Sequence, residues 1–146
     1  MSCRLAALKK ELPCVSNAMV IGDQRKFLSS LLTLRVEVDT ETMEAKDDLT
    51  KAAIDWCREV AGVEVTTLKE VLTPDSKANE NIMKCIQQGI NRANDVAVSN
   101  AQKVQKWTVL PTDFSMAGEE LGPTLKLKRK TVLKKYSGYI ESLYED

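Results

Sequence analysis

The chemistry-bearing stretch of this chain is Gly118-Glu119-Glu120-Leu121-Gly122-Pro123-Thr124-Leu125-Lys126-Leu127-Lys128-Arg129-Lys130. Two glycines and a proline make its first half a constrained turn. The Leu-Lys-Leu-Lys run that follows leads into a segment with helical apolar spacing. A lysine just after a Gly-Pro-Thr turn sits at a loop tip, where a compact ammonium on a long stem can reach several oxygens of another surface. Composition alone points to a simpler reading, in which Lys126, Lys128, Arg129, Lys130, Lys134 and Lys135 form a solvated basic face.

Other residue types narrow the chemistry further. The chain has 21 basic and 21 acidic residues and no histidine. The commonest general base at neutral pH and the commonest metal ligand are therefore both missing, and no metal site is expected. Balanced charge argues against a dedicated nucleic-acid binder, and the aromatic residues do not interleave with the cations as a base-stacking platform would. Cys3, Cys14, Cys57 and Cys85 form no CxxC pair, so zinc is disfavoured and free thiols in a reducing, cytoplasmic setting are expected. The apolar run Leu5-Ala6-Ala7-Leu8 is too short for a secretory signal. No stretch approaches the roughly 20 apolar residues that span a bilayer.

The elements that must position the lysine loop follow from periodicity. Ala18 to Ile21 is a short apolar run that stops at the Gly22-Asp23 turn. Leu32, Leu34, Val36 and Val38 alternate with polar residues, the period of a half-buried strand. From Asp48 to Ala61 the period becomes helical, with Leu49, Ala52, Ala53, Trp56, Cys57 and Val60 on one face and Gly62 placed to end the helix. Thr67 and Glu70 are spaced as a capping box for a short helix through Leu72. Thr73-Pro74-Asp75-Ser76 then starts a longer helix with an apolar stripe of Ile82, Cys85, Ile86, Ile90 and Ala93. Trp107 to Leu110 reads as a third strand ending at Pro111. Thr112 to Leu127 is loop, and a last helix carries Val132, Tyr136, Ile140 and Leu143 on one side. Strands and helices mix without strict alternation, so the expected class is α+β: a small sheet of about three strands packed with three to four helices.

The stretch from Gly118 to Lys130 resembles the C-terminal lysine motif of the adenylate-forming enzymes, within them the long-chain acyl-CoA synthetases and most closely their bubblegum branch. A second run, Lys10-Glu11-Leu12-Pro13-Cys14-Val15-Ser16-Asn17-Ala18-Met19-Val20-Ile21-Gly22-Asp23-Gln24-Arg25-Lys26-Phe27-Leu28, is similar to that family's entry into its small C-terminal domain. The pattern continues through Gln105-Lys106-Trp107 and Asp113-Phe114-Ser115. Threonine stands in much of the wider family where this chain has Gly122, and the bubblegum branch is the more similar there. The resemblance covers residues 9–146, which it marks as a C-terminal lid domain, and leaves residues 1–8 as a divergent leader.

The resemblance implies a reaction. A fatty-acid carboxylate attacks the α-phosphate of ATP, and the CoA thiol then displaces AMP from the acyl-adenylate. The first half brings an anion to a polyanion, so a fixed positive charge near the reacting oxygens lowers the barrier. Lys126 matches the family's adenylation lysine, Gly118, Gly122, Pro123 and Thr124 would shape its loop, and Lys128, Arg129 and Lys130 are candidate phosphate or lipid contacts. In an extended loop, Lys128 would point the same way as Lys126.

The parent reaction uses ATP, Mg2+ and CoA, and the implied partner is the family's large AMP-binding domain. None of the six glycines forms a phosphate cradle. The family's AMP-binding signature and its hinge segment are not in the sequence either. The expectation is that this chain alone binds no cofactor and activates no fatty acid. Two alternatives remain open, a non-catalytic module that docks on a synthetase and a peripheral contact with anionic membrane, such as that of the endoplasmic reticulum, through the basic helix.

Overall fold

A computed structural model describes residues 2–97 and 99–145. The elements run in the order α1 (Ser2–Glu11), β1 (Val15–Ile21), β2 (Leu28–Leu34), β3 (Val36–Val38), β4 (Ala45–Leu49), α2 (Lys51–Glu59), α3 (Leu68–Leu72), α4 (Lys77–Asp95), β5 (Val104–Val109), α5 (Arg129–Lys135) and α6 (Ser137–Leu143). The class is α+β. A three-stranded sheet has the order β1-β2-β5, and β3 and β4 form a separate two-stranded ribbon.

β2 is the central strand and lies buried along nearly its whole length. It runs antiparallel to β1, with Ala18 opposite Leu32 and Ile21 opposite Ser29, and parallel to β5, with Leu31 opposite Thr108. Successive side chains of β1 and β2 feed two cores, one on each face of the sheet. Ala18, Val20, Leu32 and Leu34 join Leu8, Leu12, Trp56, Ile82, Ile86 and Ile90 on the face covered by α1, α2 and α4. Met19, Ile21 and Leu31 join Leu110, Phe114, Val132, Tyr136, Ile140 and Leu143 under α5 and α6. The lysine loop belongs to the second face.

Several elements depart from the sequence expectation for identifiable reasons. The alternating run from Leu32 to Val38 is two strands broken at Arg35. The Arg35 N–H donates to Cys14 O at 2.9 Å, its carbonyl accepts from Thr50 N–H at 3.0 Å, and its Nε donates to Pro13 O at 2.9 Å. Arg35 thereby passes the chain from the sheet into the ribbon, where Val38 is exposed, whereas Thr33 is buried because β2 is the central strand and both of its faces are covered.

The second helix begins at Lys51 because Leu49 pairs with Val36 in β4, and Thr50 caps it by accepting from Ala53 N–H. At its other end Gly62 adopts φ +68, a left-handed conformation that lets Val63 N–H close onto Cys57 O at 3.1 Å. The capping box is present in full, with Thr67 Oγ1 accepting from Glu70 N–H and the Glu70 carboxylate accepting from Thr67 N–H. β5 starts at Val104, earlier than the aromatic run suggests. The last helix is two, joined at Tyr136. α1 runs through position 8 with Leu8 fully buried.

Candidate functional site

After β5 the chain crosses the end of the sheet and is tied down by two acidic residues. Asp113, 9% exposed, accepts from Ser16 Oγ at 2.7 Å, Asn17 Nδ2 at 3.0 Å and its neighbour's Phe114 N–H at 2.8 Å. These bonds hold the loop to β1. Five residues of tight turn follow. Gly118 N–H donates to Ser115 Oγ at 2.9 Å, Glu119 N–H to Met116 O at 3.0 Å, and Leu121 N–H to Ser115 O at 3.2 Å.

Glu120 is the second tie, and it is 1% exposed. Its Oε1 accepts from Ser115 N–H at 3.1 Å, and its Oε2 accepts from Lys135 Nζ at 2.9 Å and from Tyr136 Oη in a very short bond. Burial pushes the carboxyl upward, but the donors outweigh it, Tyr136 first, then Lys135 and Ser115 N–H, and its pKa lies below the ordinary glutamate range. The same geometry raises Tyr136, through burial first and then the adjacent carboxylate. Gly118 is required by this packing. A Cβ there would lie 2.2 Å from Glu120 Oε1 and 3.0 Å from Ser115 Oγ.

From Glu120 the chain forms a small hairpin. Lys128 N–H donates to Glu120 O at 2.7 Å, Leu121 bridges Leu127, Gly122 N–H donates to Lys126 O at 2.9 Å and Leu125 N–H to Gly122 O at 2.8 Å. Leu125 takes φ +63 to turn the tip. Pro123, Thr124, Leu125 and Lys126 are exposed, and the Lys126 ammonium meets no partner among the described residues. A cation on a backbone-braced tip, with no internal carboxylate, is available to an outside anion.

The structure separates the other sequence candidates. Gly122 has only Lys126 O near a would-be Cβ, at 3.9 Å, so its surroundings leave room for a side chain. Lys128 contributes its backbone to the hairpin, and its side chain is exposed, as is that of Lys130. Arg129 reaches back to β1, where Nη2 donates to Val20 O at 2.9 Å, so it braces the start of α5. Beside it lies a cleft of about 280 Å3 lined by Ile21, Arg25, Arg129, Leu133 and Glu141 among others. Arg25 is paired with Glu141 and stacked on Tyr144 at 4.7 Å, so both cleft arginines already have partners.

Glu120, Tyr136 and Lys135 were not singled out by sequence reasoning as site residues. Glu120 lies in the motif, but a glutamate in a charged loop gives no sign of being buried. No group of three or more His, Cys, Asp or Glu among the described residues could hold a metal ion. No helix among them is long and apolar enough to cross a membrane.

No protein-family model matches the chain. It is 49% identical over 140 residues to the human long-chain-fatty-acid–CoA ligase ACSBG1, a match covering 96% of this chain and 19% of that enzyme. It is 47% identical to the Xenopus laevis long-chain-fatty-acid–CoA ligase ACSBG2, again over 96% of this chain and 18% of that enzyme. The chain thus spans about a fifth of the length of these curated relatives. Its fold is similar to part of the adenylation domain of a carboxylate reductase from Mycobacterium chelonae, with a TM-score of 0.61 and 18% identity, over 99% of this chain and 18% of that one.

Proposed function

We propose that this chain, whose homologues are the long-chain-fatty-acid–CoA ligases of the bubblegum branch, is the C-terminal lysine-bearing portion of such a ligase. The parent reaction converts ATP, a long-chain or very-long-chain fatty acid and CoA into acyl-CoA, AMP and diphosphate. Residues 9–146 are the lid domain, and residues 1–8 are its divergent leader. The observation that supports this reading is the Lys126 ammonium, without a partner among the described residues, at the tip of a hairpin anchored by Glu120.

Lys126 holds a fixed positive charge that the hairpin can present to reacting carboxylate and phosphate oxygens of a facing domain. Such a charge, placed in advance, stabilises the transition state more than the separated reactants. ATP with Mg2+ supplies the electrophilic phosphorus, and CoA supplies the acceptor thiol. The chain spans about a fifth of the length of its relatives, which supports a large AMP-binding domain of the same enzyme family as the partner to which Lys126 is presented. The chain by itself activates no fatty acid.

The test is a chimera in which this chain replaces the matching segment of the human relative. It should release pyrophosphate in a fatty-acid-dependent manner, whereas the 146-residue chain alone should release none. A folded but inactive chimera, or an active isolated chain, would overturn the proposal.

A second reading concerns membranes. Leu125 and Leu127 are 60% and 38% exposed and alternate with Lys126 and Lys128, ahead of Arg129 and Lys130. Apolar residues interleaved with cations suit the surface of an anionic bilayer such as the cytoplasmic face of the endoplasmic reticulum. The chain should then co-sediment with phosphatidylserine vesicles and detach as salt rises. Binding indifferent to salt or lipid charge would dispose of this reading, and co-elution with a full-length ligase in the absence of lipid would favour a docking module instead.

A further inference from the structure

We infer that Glu120 is a positioning residue for Lys126, acting through the base of the hairpin with Tyr136 and Lys135 as its anchors; the inference rests on the adenylation reading of Lys126. The tip residues Pro123 to Lys126 are exposed, so packing around the tip does little to decide where the ammonium points. That direction is set where the hairpin leaves the body of the protein.

Three kinds of bond meet at that point, and all pass through one residue. The Glu120 carbonyl accepts from Lys128 N–H at 2.7 Å, which closes the hairpin. Its carboxylate accepts from Ser115 N–H, which fixes the incoming turn, and from Lys135 Nζ and Tyr136 Oη, which fix the junction between α5 and α6. Tyr136 is itself held in the second core against Phe114, with ring centroids 6.0 Å apart. The line of force therefore runs from the core through Tyr136 to Glu120, and from Glu120 along two short backbone arms to Lys126.

The carboxylate is needed in its charged form for this arrangement. Its three partners are all donors, and a carboxylate is acceptor-only, so every contact is satisfied. A neutral amide of the same shape brings its own N–H2 against at least one of those donors. A buried and fully satisfied carboxylate of this kind holds one geometry, whereas a half-satisfied one loosens it.

The experiment compares Glu120→Gln and Tyr136→Phe with the unaltered chain. Amide hydrogen exchange in the chain should show Gly122 and Lys128 exchanging about tenfold faster in both variants, the scale of losing one charge-assisted hydrogen bond. Leu32 and Thr108 in the sheet should speed up by no more than the factor set by the variant's loss of global stability, measured by urea unfolding. In the chimera, both variants should slow pyrophosphate release while sparing thiolysis of a supplied acyl-adenylate, the same split expected of Lys126→Ala.

Tyr136→Phe keeps the ring in the core, and it decides the matter should Glu120→Gln not fold. Unchanged exchange at Gly122 and Lys128 would overturn the positioning role. So would sheet exchange that rises by more than the urea-measured loss of stability accounts for, or a loss shared equally by both half-reactions. If the hairpin loosens but Lys126→Ala leaves pyrophosphate release intact, it is the adenylation reading that fails, and Glu120 has no role in catalysis to carry.

Discussion

Replacing Gly118 with alanine probes the Glu120 anchor without replacing any charged residue. Gly118 does not adopt a positive φ, since among the described glycines only Gly62 does, so backbone strain does not enter. The added methyl would lie 2.2 Å from Glu120 Oε1 and 3.0 Å from both Glu120 Cδ and Ser115 Oγ. The carboxylate cannot swing aside freely, because Ser115 N–H, Lys135 Nζ and Tyr136 Oη hold it from three directions. Relief requires giving up at least one charge-assisted bond, about 1.5–3 kcal/mol, or forcing the turn apart, about 1–3 kcal/mol. We expect a loss of about 2 kcal/mol in urea unfolding, equivalent to a drop of roughly 4–8 °C in Tm for a chain of this size.

A double-mutant cycle isolates the cause. In a Glu120→Ala background the obstructing oxygen is gone, and Gly118→Ala should cost less than about 0.5 kcal/mol, the ordinary additivity error. An equal cost in both backgrounds would refute the argument, because the penalty would then lie against Ser115 Oγ and not against the carboxylate.

Acid titration should expose the same group. The folded-state pKa of Glu120 is depressed, so its contribution is complete above the unfolded value, about 4.3, and is lost as pH falls through the folded one. The chain should lose stability more steeply below that point than Glu120→Gln does, and parallel curves would count against the linkage. Thiol labelling should separate the cysteines: half-exposed Cys85 should alkylate well before Cys57, which is buried and pushed up to about 11 by desolvation and then by Cys85, and before Cys14, also raised by burial. Fast labelling of Cys57 in the folded chain would contradict its place in the core. Thr67→Ala should cost about 1 kcal/mol by removing a helix cap, measured by urea unfolding, and no change would mean that α3 is held by tertiary packing alone.

Much of the fold was legible because local rules and tertiary demands agree over most of the chain. Of the stripe Ile82, Cys85, Ile86, Ile90 and Ala93, all but half-exposed Cys85 are buried as the spacing implies, and Thr67 with Glu70 makes the capping box their spacing allows. Reading failed where pairing partners decide. Ala45 to Leu49 has no β-branched residue and becomes a strand only because Val36 and Val38 lie opposite. Arg35 looks like the exposed residue of an alternating strand, yet its backbone and guanidinium bonds end one sheet and open the next element.

The site shows the same division. The turn around Gly118 to Pro123 and the exposure of Lys126 follow from residue types, whereas the burial of Glu120 does not. That depends on Tyr136 returning from 16 residues further along the chain, a contact with no signature in a local window. Arg129 carries another such contact, since its partner is a carbonyl 109 residues away on β1.

The measurement that bears most directly on Lys126 as the adenylation lysine is a comparison of the two half-reactions in the chimera carrying Lys126→Ala. Fatty-acid-dependent pyrophosphate release should fall by about 100-fold or more, the scale seen when one preorganised electrostatic stabiliser is removed. Thiolysis of a supplied acyl-adenylate should stay within a few-fold of the unaltered chimera. Equal losses in both half-reactions, or none in either, would contradict the assignment.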